Sequence, residues 1–167
     1  MSNKNLIILA TNFTTMTRED VLKELKKYFK IQELVDEPTY KKWKDSAWNF
    51  FSTDILETLL VLRRDILQVP LVINDWSFKG THQNRGLRSN LSYLVKDKTD
   101  KGVLYLSQHC MGKAIDAVSS KMTAEKMRNL ILKNQNLLPC NIRVEGGVNW
   151  LHFDSMDMGV KVYIFKG

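Results

Sequence analysis

Apolar residues change their spacing partway along this chain, and that change limits what it can fold into. Up to Ile66 they recur every three or four positions. In the stretch TREDVLKELKKYFK, Val21, Leu25, Tyr28 and Phe29 make one face of an amphipathic helix, with Thr17 as its cap and acids in its first turn. After a loop containing Pro38, the residues Trp48, Phe51, Ile55, Leu59, Leu62 and Ile66 repeat at helical spacing, which predicts one long helix closing before Pro70. Beyond it the runs are short and alternate in twos. Val69–Asp75, GVLYL, KAIDAV, CNIRVE, VNWLHFD and VKVYIF read as strands. One further helix, TAEKMRNLILKNQNLL, is capped by Thr123 and stopped at Pro139. WSFKGTHQNRGLRSN reads as a polar loop and KDKTDKG as a charged surface turn. The expected architecture is α+β: N-terminal helices packed on a mostly antiparallel sheet, with residues 1–167 forming one domain.

Composition removes several functional classes. No apolar run approaches the roughly 18 residues of a membrane span. The run Leu6–Ala10 is too short for a signal-peptide core and reads as a strand or extended arm, so the chain is expected to be made in the cytoplasm without a leader. Cys110 and Cys140 lack the spacing of a metal knuckle and are too few for a disulfide scaffold. Cys110 adjoins His109, but neighbours on an extended chain point to opposite sides, so it is not expected to share a site with it. The net charge of +7 fits an anionic partner such as a bacterial wall, or simple solubility. Its lysines are interrupted by acids and aromatics, and no nucleic-acid-binding motif is present, so no nucleic-acid partner is expected.

The chain has three histidines, and two of them stand beside acids in strand-like segments. His109 precedes Asp116 in SQHCMGKAID; His152 lies in VNWLHFD, where Trp150, His152 and Asp154 share one face and Leu151 and Phe153 the other. His109, Asp116 and His152 supply two imidazoles and one carboxylate. That donor set suits a catalytic zinc with one position left for water, because it leaves the ion net positive and its water readily deprotonated. Spacing alone favours the plainer reading, in which these are satisfied polar groups in a core.

The stretch Ser107-Gln-His109-Cys-Met-Gly112-Lys-Ala114-Ile-Asp116 resembles the S-x-H-x-x-G-x-A-x-D motif of the D-alanyl-D-alanine carboxypeptidase family of zinc peptidases. That family also contains L-alanyl-D-glutamate endopeptidases of phages, and its zinc fold is shared with lysostaphin-type peptidases and the hedgehog signalling domain. Trp150-Leu-His152-Phe-Asp154 resembles the family's downstream aromatic-x-H-x-D signature. Gly86-Leu87-Arg88-Ser89 is similar to its G-[YFW]-R-[ST] segment, with leucine in the aromatic place.

The resemblance implies that His109, Asp116 and His152 bind zinc and that Arg88 and Ser107 hold the substrate's carboxylate or peptide carbonyls. It implies hydrolysis of peptidoglycan stem peptides at the cell wall, in the manner of a phage lysis or tail-associated enzyme; the sequence does not give the oligomeric state, and a monomer is the default expectation. One position departs from the pattern. Where many members carry an acidic base three residues before the last histidine, this chain has Asn149. Glu145 and Asp154 are the acids near enough in sequence to replace it as the catalytic base; Asp154 is also placed to hydrogen-bond a ligand imidazole. Two other readings stand beside the peptidase: a zinc-binding module of the same fold without catalysis, and a phage structural or interaction protein.

Overall fold

A computed structural model describes residues 16–167, and the expected strand or arm at Leu6–Ala10 lies outside the described residues. Helix α1 spans Arg18–Leu25; the Thr17 hydroxyl accepts from the Asp20 amide, and Val21 and Leu25 are buried. The helix ends a turn earlier than its apolar face predicts, although Phe29 is still buried. Helix α2, Glu37–Trp43, occupies the segment expected to be a loop. Its cap is Asp36, whose carboxylate accepts from the Thr39 amide, and Pro38 sits in its first turn, where a missing N–H costs nothing.

The long helix expected from Trp48 to Ile66 is broken. Lys44–Phe50 is a 3-10 helix, and Phe51 and Ser52 are extended. Helix α3 then runs Thr53–Val61 from a Ser52 cap and ends in a widened π turn, Leu62–Ile66. The break has a cause outside the helix: the Ser52 amide donates to the Gly112 carbonyl at 3.0 Å, which ties this strand-like link to the turn that carries His109.

Helix α4, Tyr93–Asp100, takes in most of the expected charged turn. It buries none of its own residues, and ion pairs Lys96–Asp100 and Lys101–Asp97 at helical spacing line its surface. The GVLYL run that follows is not a strand: Val103, Leu104 and Leu106 are exposed, with no ladder to join. Val69–Asp75 contributes only a single bridge, between Val72 and Val118. Helix α5, Ala124–Lys133, is capped by Thr123 as expected.

Four strands make one sheet: β1 Ala114–Ala117, β2 Ile142–Glu145, β3 Leu151–Asp154 and β4 Val162–Phe165. Their spatial order is β1-β3-β2-β4, antiparallel at β1/β3 and β3/β2 and parallel at β2/β4. The fold is therefore α+β with a mostly antiparallel sheet. Alternation gives the sheet two unlike faces. Ile115, Ala117, Ile142, Val144, Leu151 and Phe153 are buried in the core cluster, with α5 packed against β3. Each large side chain on this face contributes about 1.5–3 kcal/mol by leaving water. The opposite face carries Asp116, Arg143, Glu145, His152 and Asp154. Among the described residues, no helix is long and apolar enough to cross a membrane.

Candidate metal centre

The polar face of β1 and β3 places two of the three expected ligands by register alone. Asp116 and His152 are directly opposed partners in the antiparallel ladder, so their side chains rise from the sheet side by side. His152 Nδ1 lies 2.7 Å from Asp116 Oδ1. On its other side, His152 Nε2 stands 3.2 Å from Asp154 Oδ2. Asp154 thus orients the ring, taking Nε2–H and turning Nδ1 toward Asp116. Asp154 is itself sealed and fully paired: Arg143 Nη2 donates to Oδ2 at 2.8 Å, Arg143 Nε donates to Oδ1 at 3.0 Å, and the Met156 amide donates to Oδ1. Arg143 is the register partner of Asp154 on β2, so this support too is written in the ladder.

His109 arrives from a different kind of element. It lies in the turn between Gln108 and Gly112, where the Ser107 hydroxyl oxygen accepts from the His109 amide at 3.3 Å and the Lys113 amide donates back to the Gln108 carbonyl at 2.9 Å. Gly112 closes the turn at φ +64°, and a Cβ there would meet the Phe50 carbonyl oxygen at 1.9 Å. Both facts require glycine. The ring of His109 is buried, and its Nδ1 is 2.8 Å from the Gly86 carbonyl oxygen. A carbonyl only accepts, so Nδ1 carries the proton and Nε2 keeps a lone pair. Gly86 can bring that carbonyl in because its own Cα passes close to Leu34, where a Cβ would lie 1.9 Å from the backbone oxygen.

The lone pair of His109 Nε2 has no hydrogen-bond partner, although it is buried and Asp116 Oδ2 is only 3.3 Å away. Two acceptors facing one another across such a gap repel unless a cation lies between them. One donor atom from each of His109, Asp116 and His152 falls within 4.8 Å of the other two. This group could hold a metal ion. Cys110 takes no part; it lines a separate groove with Trp43, Phe50 and Met111.

The charges agree with that reading. Burial opposes ionisation of Asp116, but His152 against its Oδ1 outweighs burial and holds its carboxyl well below the usual range. Burial pushes the His109 imidazole down, so it stays neutral. Burial also acts to lower His152, yet Asp116 and Asp154 overcome it and push its imidazole up to about 9. Asp154 resists burial in the same way and stays ionised, through His152 and Arg143.

Arg88 and Ser107, expected to meet substrate, border the same open cleft of about 730 Å³ as the three donors. The guanidinium of Arg88 is already in use: Nε donates to the Asn84 carbonyl at 2.7 Å, Nη1 to the Tyr105 hydroxyl at 2.9 Å and Nη2 to Asp116 Oδ2 at 3.0 Å. Glu145, at the end of β2, also borders this cleft, together with Trp150 and Phe165. Asn149 does not; it borders a groove with Ser119, Thr123 and Arg128. Tyr105 and Arg143 were not expected at the site, and Gly86 was expected there only as part of the segment that carries Arg88. Arg143 was accessible to strand alternation, because it shares a face with Glu145. Tyr105 and the Gly86 carbonyl had no local signal, since both act across the chain. Comparison of the chain with protein families, curated proteins and solved structures finds no match.

Proposed function

We propose that this protein is a zinc-dependent peptidase that hydrolyses stem peptides of bacterial peptidoglycan. The observation that carries this reading is the buried, unpartnered lone pair of His109 Nε2 aimed at Asp116 Oδ2, with His152 Nδ1 completing the donor set. Two imidazoles and one carboxylate match catalytic zinc sites and leave the ion open to a further ligand. The chemistry such an ion supplies is Lewis acidity toward a peptide carbonyl and activation of water near neutral pH.

The chain's own residues supply the rest. Asp154 and Arg143 hold the His152 ring in one orientation, and Gly86 fixes the tautomer of His109. Glu145 is the acid that faces the open cleft, whereas the carboxylate of Asp154 is enclosed and fully paired. Glu145 therefore takes the proton from the attacking water and returns it to the leaving amine. Arg88 braces Asp116 and shares its cleft face with the substrate's carbonyls, and the Ser107 hydroxyl hydrogen remains available to the same end. The net charge of +7 favours approach to an anionic wall.

The test is metal analysis of purified protein joined to mass analysis of fragments released from purified cell walls. One zinc per chain and cleavage at a stem-peptide bond are expected. Glu145→Gln should keep the zinc and lower the hydrolysis rate by roughly a hundredfold to ten-thousandfold. Zinc without cleavage in the native chain would instead assign a metal-binding module, the reading that Asn149 favours. Neither zinc nor cleavage would leave a structural or interaction protein.

A further inference from the structure

Beside the candidate metal group lies a second concavity of about 460 Å³, bordered by His82, Asn84, Arg85, Arg88, Tyr93 and Trp150 together with Asp116. Arg88, Asp116 and Trp150 border both spaces, so the two are neighbours. Two guanidinium groups enter this concavity, and they are in opposite states. Arg88 is satisfied by Asn84, Tyr105 and Asp116. Arg85 is not: its Nη1 is enclosed and has no hydrogen-bond partner. Its backbone is nevertheless fixed on both sides. The Arg85 amide donates to Asn74 Oδ1 at 2.9 Å, and its carbonyl accepts from the Asp116 amide at 2.7 Å. The side chain is thus launched from an anchored point next to a metal-ligand candidate and ends without a partner.

A guanidinium with an enclosed N–H and no counter-ion is costly, and no side chain of the protein pairs with this one. A planar anion in the concavity would give the guanidinium that borders it a counter-ion, since the guanidinium fork matches a carboxylate.

Resting on the peptidase reading above, we infer that Arg85 anchors a carboxylate of the bound peptide in this concavity and so determines which peptides are accepted. The ligand class is a carboxylate on a short peptide. Two sources offer it: a free C-terminal carboxylate, or the free α-carboxylate of a γ-linked D-glutamyl residue. Arg88 spends three of its N–H groups on the protein, one of them on Asp116, and keeps the rest for the substrate's carbonyls.

The experiment measures binding, so it does not depend on turnover. Metal-free protein, prepared by chelation so that no peptide can bind through the ion, is titrated calorimetrically with two pairs of peptides. One pair ends in D-alanine, as free acid and as amide. The other contains γ-linked D-glutamate, with its α-carboxylate free or amidated. In at least one pair the acid should bind about tenfold or more tightly than the amide, as expected of a charge-assisted hydrogen bond. The pair that shows the preference identifies the source. Arg85→Gln should bring that ratio to within about twofold, and Arg85→Lys should restore part of it. Zinc content on reloading should be unchanged in both variants. Equal binding of acid and amide by the native protein, or an undiminished ratio in Arg85→Gln, overturns the inference. Should Arg85→Gln not fold, Arg85→Lys decides alone: a ratio equal to the native one overturns it. Cleavage of cell walls with no role for Arg85 would sink this inference and leave the peptidase standing. A ratio that depends on Arg85 in a protein that cleaves nothing would do the reverse.

Discussion

Asp116 and His152 face one another across paired strands, whereas His109 sits in a turn that no ladder supports. On the strands, backbone hydrogen bonds set the spacing, and any pair of residues at those positions would be neighbours. The side chains need only a local brace, which Asp154 and Arg143 give. In the turn, position depends on particular residues: the Ser107 hydroxyl, the left-handed Gly112, and the Gly86 carbonyl more than twenty positions upstream. A ladder is a generic support and a turn a specific one, so the two should fail differently under mutation.

The largest effect removes a ligand outright, whichever support carries it. Alanine at His109, Asp116 or His152 should remove most of the bound zinc and all hydrolysis, read by metal analysis and cell-wall digestion. One tightly held zinc in His152→Ala would show that His152 is not a ligand. Next in size is Gly112→Ala, which combines a left-handed backbone with a Cβ placed 1.9 Å from the Phe50 carbonyl oxygen. It should destabilise the fold by about 1–3 kcal/mol or more and weaken zinc binding as well. Ile115→Val on β1 should cost about 0.5–1.5 kcal/mol and leave zinc affinity alone. If thermal melts and zinc titrations rank these two variants the other way, the turn is not the fragile support. Asp154→Asn tests the brace: zinc affinity should fall about 10- to 100-fold with the fold intact.

The smallest effect is a proton count. Near pH 7, Asp116 is already ionised and His109 already neutral, while His152 is raised to about 9 and holds a proton. Metal must displace that one proton. Affinity should therefore rise about tenfold per pH unit from roughly pH 7 to 9 and level off above. Calorimetry in two buffers of different ionisation enthalpy should find about one proton released per zinc at pH 7.5. For the metal-free chain the sign reverses. A raised pKa means that His152 contributes stability below its ordinary value of 6.5, and that contribution is lost as pH rises through about 9.

The sequence made the four strands of the sheet and the caps of α1 and α5 legible, because alternation and a capping hydroxyl are local properties. It also brought His109, Asp116 and His152 forward as a group, and the structure places them together. What it hid was decided at a distance. The break at Ser52 answers to Gly112, which a helical repeat running through Trp48, Phe51 and Ile55 cannot show. GVLYL has the composition of a strand but no ladder to join, and composition cannot report a missing partner. α2 was masked by Pro38, although Asp36 and Glu37 before it form an acidic helix start. α4 buries none of its residues, so it leaves almost no apolar period to read.

The bond from His109 Nδ1 to the Gly86 carbonyl joins the ion site to the segment that carries Arg85 and Arg88. Holding that segment in place holds His109, and holding His109 on an ion holds the segment. Under the proposed function the two would be linked equilibria, and linkage is symmetric: whatever factor the ion added to peptide affinity, the peptide would add to ion affinity. A scarce metal would then be retained most strongly by the molecules already engaged on substrate.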